Sequence, residues 1–152
     1  MSRTTYKLRG FAELEKALVE ELPKATAKSA LRKAAITAME PVKERAKQLA
    51  PVDDGKLRDS IVTKPARAKR QRGSVRFAAA SGVEVLTGPT GHPEGGNAAW
   101  QEFGTVHMPA NPFMRPAADF EAEGVIEEMG KQLKLRIDKA RKRIAKRAAK
   151  GL

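Results

Sequence analysis

The sequence predicts an α+β fold, a small antiparallel sheet packed against N-terminal helices and followed by a long basic C-terminal helix. Three observations lead there. Apolar residues recur at spacings of three and four over residues 11–49 and again beyond Pro116, which is the period of an amphipathic helix. Between these stretches, short runs alternate apolar with polar or small residues, the period of a half-buried strand. Proline and glycine punctuate the joins.

Phe11, Leu14, Leu18 and Leu22 define the first helical face, with Glu13, Lys16 and Glu20 around it, and Pro23 interrupts the pattern. A second pattern runs through Ala27, Leu31, Ala35, Met39, Val42, Ala46 and Leu49 until Pro51. Pro41 lies inside it, so a kink or a junction of two helices is expected there, because an interior proline loses a hydrogen bond and clashes with the preceding turn. Asp53 is expected to accept from the amides after it and to cap a short helical turn through Leu57. A strand should then occupy residues 60–64, with further strands around Val75 and Phe77 and around Val83 and Val85. The Gly- and Pro-rich run at 88–96 reads as a loop, and Asn97 as a cap for a brief helical turn carrying Trp100 and Phe103.

From Pro116 the chain reads as one helix. Ile126, Met129, Leu133, Ile137, Ala140, Ile144 and Ala148 follow a period of about 3.67, and that stripe requires something to pack on. Residues 1–120 therefore form the expected body and 121–152 a basic helical extension.

Composition limits function. Thirty Lys and Arg against 18 Asp and Glu give a formal charge of +12, which favours nucleic acid or acidic partner surfaces. Two basic sets stand out: Arg67, Lys69, Arg70 and Arg72 before Gly73, and Lys139, Arg141, Lys142, Arg143, Lys146 and Arg147 near the C-terminus. The first is either a solvated loop or a loop that reaches phosphates or an acidic surface. The second is expected to neutralise a polyanion or an acidic surface while its apolar stripe packs on a neighbour. No aromatic platform interleaves with these cations, so any DNA contact is expected to be sequence-independent and salt-sensitive.

Cysteine is absent, which removes disulfides, thiolate metal sites and thiol nucleophiles and suits a reducing compartment. No secretory h-region and no apolar run of roughly 18 residues is seen, so neither export nor membrane insertion is expected. His92 and Glu94 have the H-x-E spacing of zinc deaminases without the cysteines those enzymes need. A metal set of His92, Glu94, His107 and Glu102 is weakly supported, because no His-x-x-x-His helix accompanies it. Gly55-Lys56 lacks the rest of a phosphate-binding loop, and no Gly-x-Ser-x-Gly elbow is present. Asp53 and Asp54 are turn-formers. No catalysis, cofactor or metal is expected.

The informative segment is residues 98–117. Trp100, Phe103 and Phe113 stand among Pro109, Pro112 and Pro116, on a frame that proline holds extended. Such side chains either plug a core or meet a partner. Glu102 is a buried ion-pair partner if the turn lies at an interface and an exposed acid otherwise, while Arg115 pairs with a neighbouring subunit's acid or caps its own helix.

Three ordered motifs carry a family resemblance: Ala50-Pro-Val-Asp-Asp-Gly-Lys-Leu-Arg-Asp-Ser-Ile61, then Trp100-Gln-Glu-Phe-Gly-Thr105, then Pro112-Phe-Met-Arg-Pro-Ala117. Over roughly residues 11–120 the chain resembles the gene-10-like tail-completion family of lambdoid tailed bacteriophages. The basic end beyond Phe120 departs from that pattern. The resemblance implies a virion protein of the neck or tail, assembled in the bacterial host cytoplasm, without catalytic residues. It implies a homo-oligomeric ring, hexameric by tail symmetry, that completes the tail for joining to the head and meets tail-tube, terminator or head-completion proteins. Its contacts would fall on Trp100, Glu102, Phe103, Pro112, Phe113, Met114 and Arg115. The alternative reading is a sequence-independent nucleic-acid-binding protein acting through the basic C-terminal helix; in a ring, the same helix would touch DNA in transit.

Overall fold

A computed structural model describes residues 11–66, 83–90 and 97–150. Among these residues lie helices α1 (Phe11–Lys16), α2 (Lys24–Ala38), α3 (Glu40–Leu49), α4 (Lys56–Ser60), α5 (Ala98–Phe103) and α6 (Met114–Ala148), and strands β1 (Ile61–Pro65) and β2 (Val85–Pro89). A π-helical turn, Ala17–Glu21, continues α1. The expected α+β class, with N-terminal helices, a small antiparallel sheet and a long C-terminal helix, is what the chain adopts.

Pro41 divides the second apolar pattern into two helices. Met39 ends α2 and begins α3 in near-helical backbone, with Pro41 in the first turn of α3, where a missing N–H costs nothing. The buried face of α2 is Ala27, Ala30, Ala34 and Ala38, one step away from the expected stripe, with Leu31 at its margin. Alanine lets α6 approach closely, and the two helices pack along their length.

The turn after α3 differs in detail from expectation. Asp54, not Asp53, caps the backbone, its Oδ1 accepting from Lys56 N–H at 3.1 Å, because Gly55 at φ 77° turns the chain directly into α4. Strands β1 and β2 pair antiparallel, from Ile61 opposite Pro89 to Pro65 opposite Val85. Gly88 and Pro89 thus belong to β2 rather than to the loop. Pro89 sits at the end of the ladder, where no N–H is needed from it, and Thr90 N–H takes over by donating to the Ser60 carbonyl at 2.9 Å. Thr63 and Thr87 pair through their hydroxyls mid-ladder at 2.9 Å. The strand expected around Val75 and Phe77 lies outside the described residues.

Two apolar clusters fill the interior. The first joins Ala17, Leu22, Ala27 and Ala34 to Leu133, Ile137 and Ala140 of α6. The second joins Ala46, Ala50 and Ile61 to Ala98, Phe113 and Ala117. Helix α6, about 52 Å long at 1.5 Å per residue, is the spine shared by both. The expected boundary between residues 120 and 121 falls inside this continuous helix. Its apolar stripe is buried at Leu133, Ile137 and Ala140 and exposed at Ile144 and Ala148.

Candidate functional site

Residues 98–117 are built around one carboxylate. Glu102, on α5, is 5% exposed, and its Oε2 accepts from Phe113 N–H at 2.8 Å and Met114 N–H at 2.9 Å. Its Oε1 accepts from Arg115 N–H at 3.1 Å and from Arg115 Nε at 2.9 Å. Arg115 Nη2 also donates to the Glu102 carbonyl at 2.8 Å. The opening of α6 has no local capping side chain, and a helix start leaves backbone N–H groups without partners. Glu102 supplies their acceptor from another helix. Pro116 carries no N–H to satisfy, and Ala117 N–H already donates to the Phe113 carbonyl at 3.4 Å. The negative carboxylate also faces the positive end of the α6 dipole.

Burial works against the charged form of Glu102, but the N–H groups of Met114 and Phe113, the Arg115 guanidinium and Arg115 N–H together hold its carboxyl below the ordinary value. The Glu-Phe-Gly-Thr and Pro-Phe-Met-Arg-Pro-Ala motifs are the two halves of this clamp. Arg115 is an internal partner of Glu102, and its guanidinium carbon lies 5.1 Å from the centroid of the Phe103 ring.

Gly104 makes the next bend possible. It adopts φ 75°, ψ −179°, a region open essentially to glycine, and a Cβ there would lie 2.8 Å from Ala110 N and 2.9 Å from the Met108 carbonyl oxygen. Thr105 N–H donates to the Met108 carbonyl at 2.8 Å, and Thr105 Oγ1 accepts from His107 N–H at 3.2 Å. Asn111 N–H donates to the Gln101 carbonyl at 2.7 Å and ties the loop back to α5. Asn97 precedes α5 as expected but makes no side-chain cap.

The aromatic side chains divide. Phe113 is fully buried among Ala46, Ala50, Ile61 and Ala98, so it plugs its own core and offers no surface to a partner. Met114 packs against the same cluster, and Pro112 is exposed. Trp100 is 57% exposed, Phe103 70% and Val106 97%. Trp100 and Phe103 are three residues apart and share a face of α5, while Val106 stands at the tip of the following turn. Val106 was not legible as a site residue; its position between Thr105 and Met108, which are bridged just after Gly104, is the signal.

The basic positions also separate. Arg67, Lys69, Arg70 and Arg72 lie outside the described residues, as do His92 and Glu94. Arg141 is taken by the chain's own acids: its Nε and Nη2 donate to the Glu21 carboxylate at 2.7 and 2.9 Å, and Asp138 lies 3.6 Å away. That bidentate pair depresses the Glu21 pKa and raises that of Arg141, so the Arg141 charge is already met within the chain at an exposed pair. Lys142, Lys146 and Arg147 are exposed. Lys139 and Arg143 border a cleft against α2 together with Lys33 and Arg136. Lys33 could not be placed there by spacing, because it is about a hundred residues away in sequence.

Among the described residues, no helix is long and apolar enough to cross a membrane. Searches of curated proteins and of solved structures return no match. The family described as "Bacteriophage HK97-gp10, putative tail-component" matches residues 12–104. That span takes in α1 to α5, the sheet and the Glu102–Gly104 half of the clamp, and stops short of α6. The chain belongs to this HK97-gp10-like family of phage tail components.

Proposed function

We propose that the chain is a structural protein of the phage neck or tail end that works by self-assembly into a ring. The ring completes the tail and allows the head to join. The observation that carries this reading is the outward set Trp100, Phe103 and Val106, held on a turn that Glu102 and Gly104 make rigid. A large exposed apolar group on a fixed frame favours association, because little side-chain or loop freedom is lost on binding. Trp is also the residue type most enriched where binding energy concentrates.

The proposed occupant of this surface is a second copy of the chain. The patch and its receptor are different surfaces, so the contact is heterologous and closes into a ring when the rotation allows. Sixfold closure follows tail symmetry. Tail-tube, terminator or head-completion proteins would stack on the two faces of the ring, in the virion after assembly in the host cytoplasm. The residues at the clamp have structural roles that account for their chemistry without catalysis.

Sedimentation of the purified full-length chain tests the proposal. A closed oligomer that Trp100→Ser with Phe103→Ser converts to a folded monomer supports it. An oligomer unaffected by those substitutions moves the contact elsewhere, and a monomer at every concentration rejects self-assembly.

A further inference from the structure

A cleft of about 400 Å³ lies between the N-terminal half of α2 and the C-terminal half of α6. Lys33, Arg136, Lys139 and Arg143 border it with the hydroxyl residues Thr26 and Ser29. Its walls are free of acid: α2 contains no Asp or Glu, and beyond residue 129 the one acid of α6 is Asp138. At 100° per residue, Asp138 lies roughly 140° around the helix from the middle of the cleft-facing cations. The pair of Arg141 with Glu21 is on that other flank as well, so it does not neutralise the cleft. Among the described residues, none of the four bordering cations has a carboxylate within ion-pair distance. Arg136 donates through Nη2 to Thr37 Oγ1 at 3.2 Å, yet its Nε is buried with no acceptor. A buried N–H without a partner leaves Arg136 with donor capacity that an acceptor entering the cleft could use.

We propose that this α2–α6 cleft is a phosphate-binding site that seats the backbone of a nucleic acid. Tetrahedral phosphate oxygens accept from guanidinium, ammonium and hydroxyl donors together, which is the donor set present. The surroundings favour a polymer. Arg136, Lys139, Arg143 and Arg147 fall within an arc of roughly 80° on α6 and extend about 16 Å along it. A straight row of cations matches a linear polyanion better than the mixed charges of a protein surface. Among the described residues no aromatic side chain that could stack on a base lines the cleft, so the recognition proposed is of the backbone and independent of sequence. The proposal does not depend on ring formation.

The test uses the full-length protein and a labelled DNA duplex of arbitrary sequence, titrated at several salt concentrations. The triple variant Lys33→Ala, Lys139→Ala, Arg143→Ala removes three exposed cleft cations; Lys64→Ala, Lys131→Ala, Lys134→Ala removes the same charge elsewhere. The cleft variant should bind at least about tenfold more weakly than the control and reduce the salt slope by about two to three. Inorganic phosphate should compete for the site, and polyglutamate should bind far more weakly than DNA. Equal loss in both variants would reduce the effect to net charge and overturn the site. Binding of phosphate without DNA would make it a small-ion site, and polyglutamate binding as tight as DNA would assign it to an acidic protein; either result overturns the proposal. Sedimentation of the cleft variant should match wild type, so failure here leaves the assembly reading intact.

Discussion

At the scale of single residues, the fold turns on Glu102 and Gly104. Removing the Glu102 carboxylate leaves the N–H groups of Phe113, Met114 and Arg115 without an acceptor at a partly buried helix start. Glu102→Ala is therefore expected to cost about 2–4 kcal/mol in urea unfolding. Because the folded pKa of Glu102 lies below its ordinary value of 4.5, its contribution is fully present above that pH. It is lost as pH falls through the lowered folded value. Wild type should thus lose stability on acidification below the ordinary value, and Glu102→Ala should show a smaller loss over the same window. Gly104→Ala places a Cβ against two backbone atoms in a strained conformation, and an unfolding cost above about 2 kcal/mol is expected. The sequence marks Glu102 as a candidate buried ion-pair partner but shows neither its capping of α6 nor the bend at Gly104. The Glu102 contacts cross a loop of irregular chain, and residue spacing carries no information about which amide a carboxylate meets there.

At the scale of elements, α6 is the member that joins the two halves of the core. Leu133→Ala and Ile137→Ala should each destabilise by about 2–4 kcal/mol, whereas Ile144→Ala, at an exposed position, should cost less than about 1 kcal/mol. Thermal or urea unfolding of the three variants checks this order. The helix, its phase and its buried middle were legible, since Leu133, Ile137 and Ala140 keep a helical period. The break at Pro41 was legible for the same kind of reason, a local backbone rule. The contact face of α2 was not: alanines on two adjacent faces give periodicity no preference, and only the approach of α6 chooses Ala30 and Ala34. Likewise Pro89 reads as loop in isolation, and its place at the end of β2 follows from the partner strand.

At the scale of the whole molecule, two surfaces are set at different places on the described part of the chain. The turn after α5 presents apolar side chains, and the α2–α6 cleft presents unpaired cations among the described residues. Charge along α6 was readable from composition, but the cleft forms only when Lys33 is brought beside Lys139 and Arg143. The aromatic segment was readable as an anchor, while its division into an inward Phe113 and an outward Trp100 and Phe103 depended on the clamp. An inward anchor fixes the frame and an outward one uses it. Phe113→Ala should accordingly unfold the chain rather than merely dissociate it, with a cost of about 3–5 kcal/mol by urea denaturation.

The most direct test is the sedimentation of wild type beside the Trp100→Ser, Phe103→Ser variant, with circular dichroism on both. Assembly through the exposed turn predicts a discrete ring for wild type and a folded monomer of unchanged helicity for the variant. A wild type that stays monomeric as concentration rises, or a variant that forms the same ring, would contradict it.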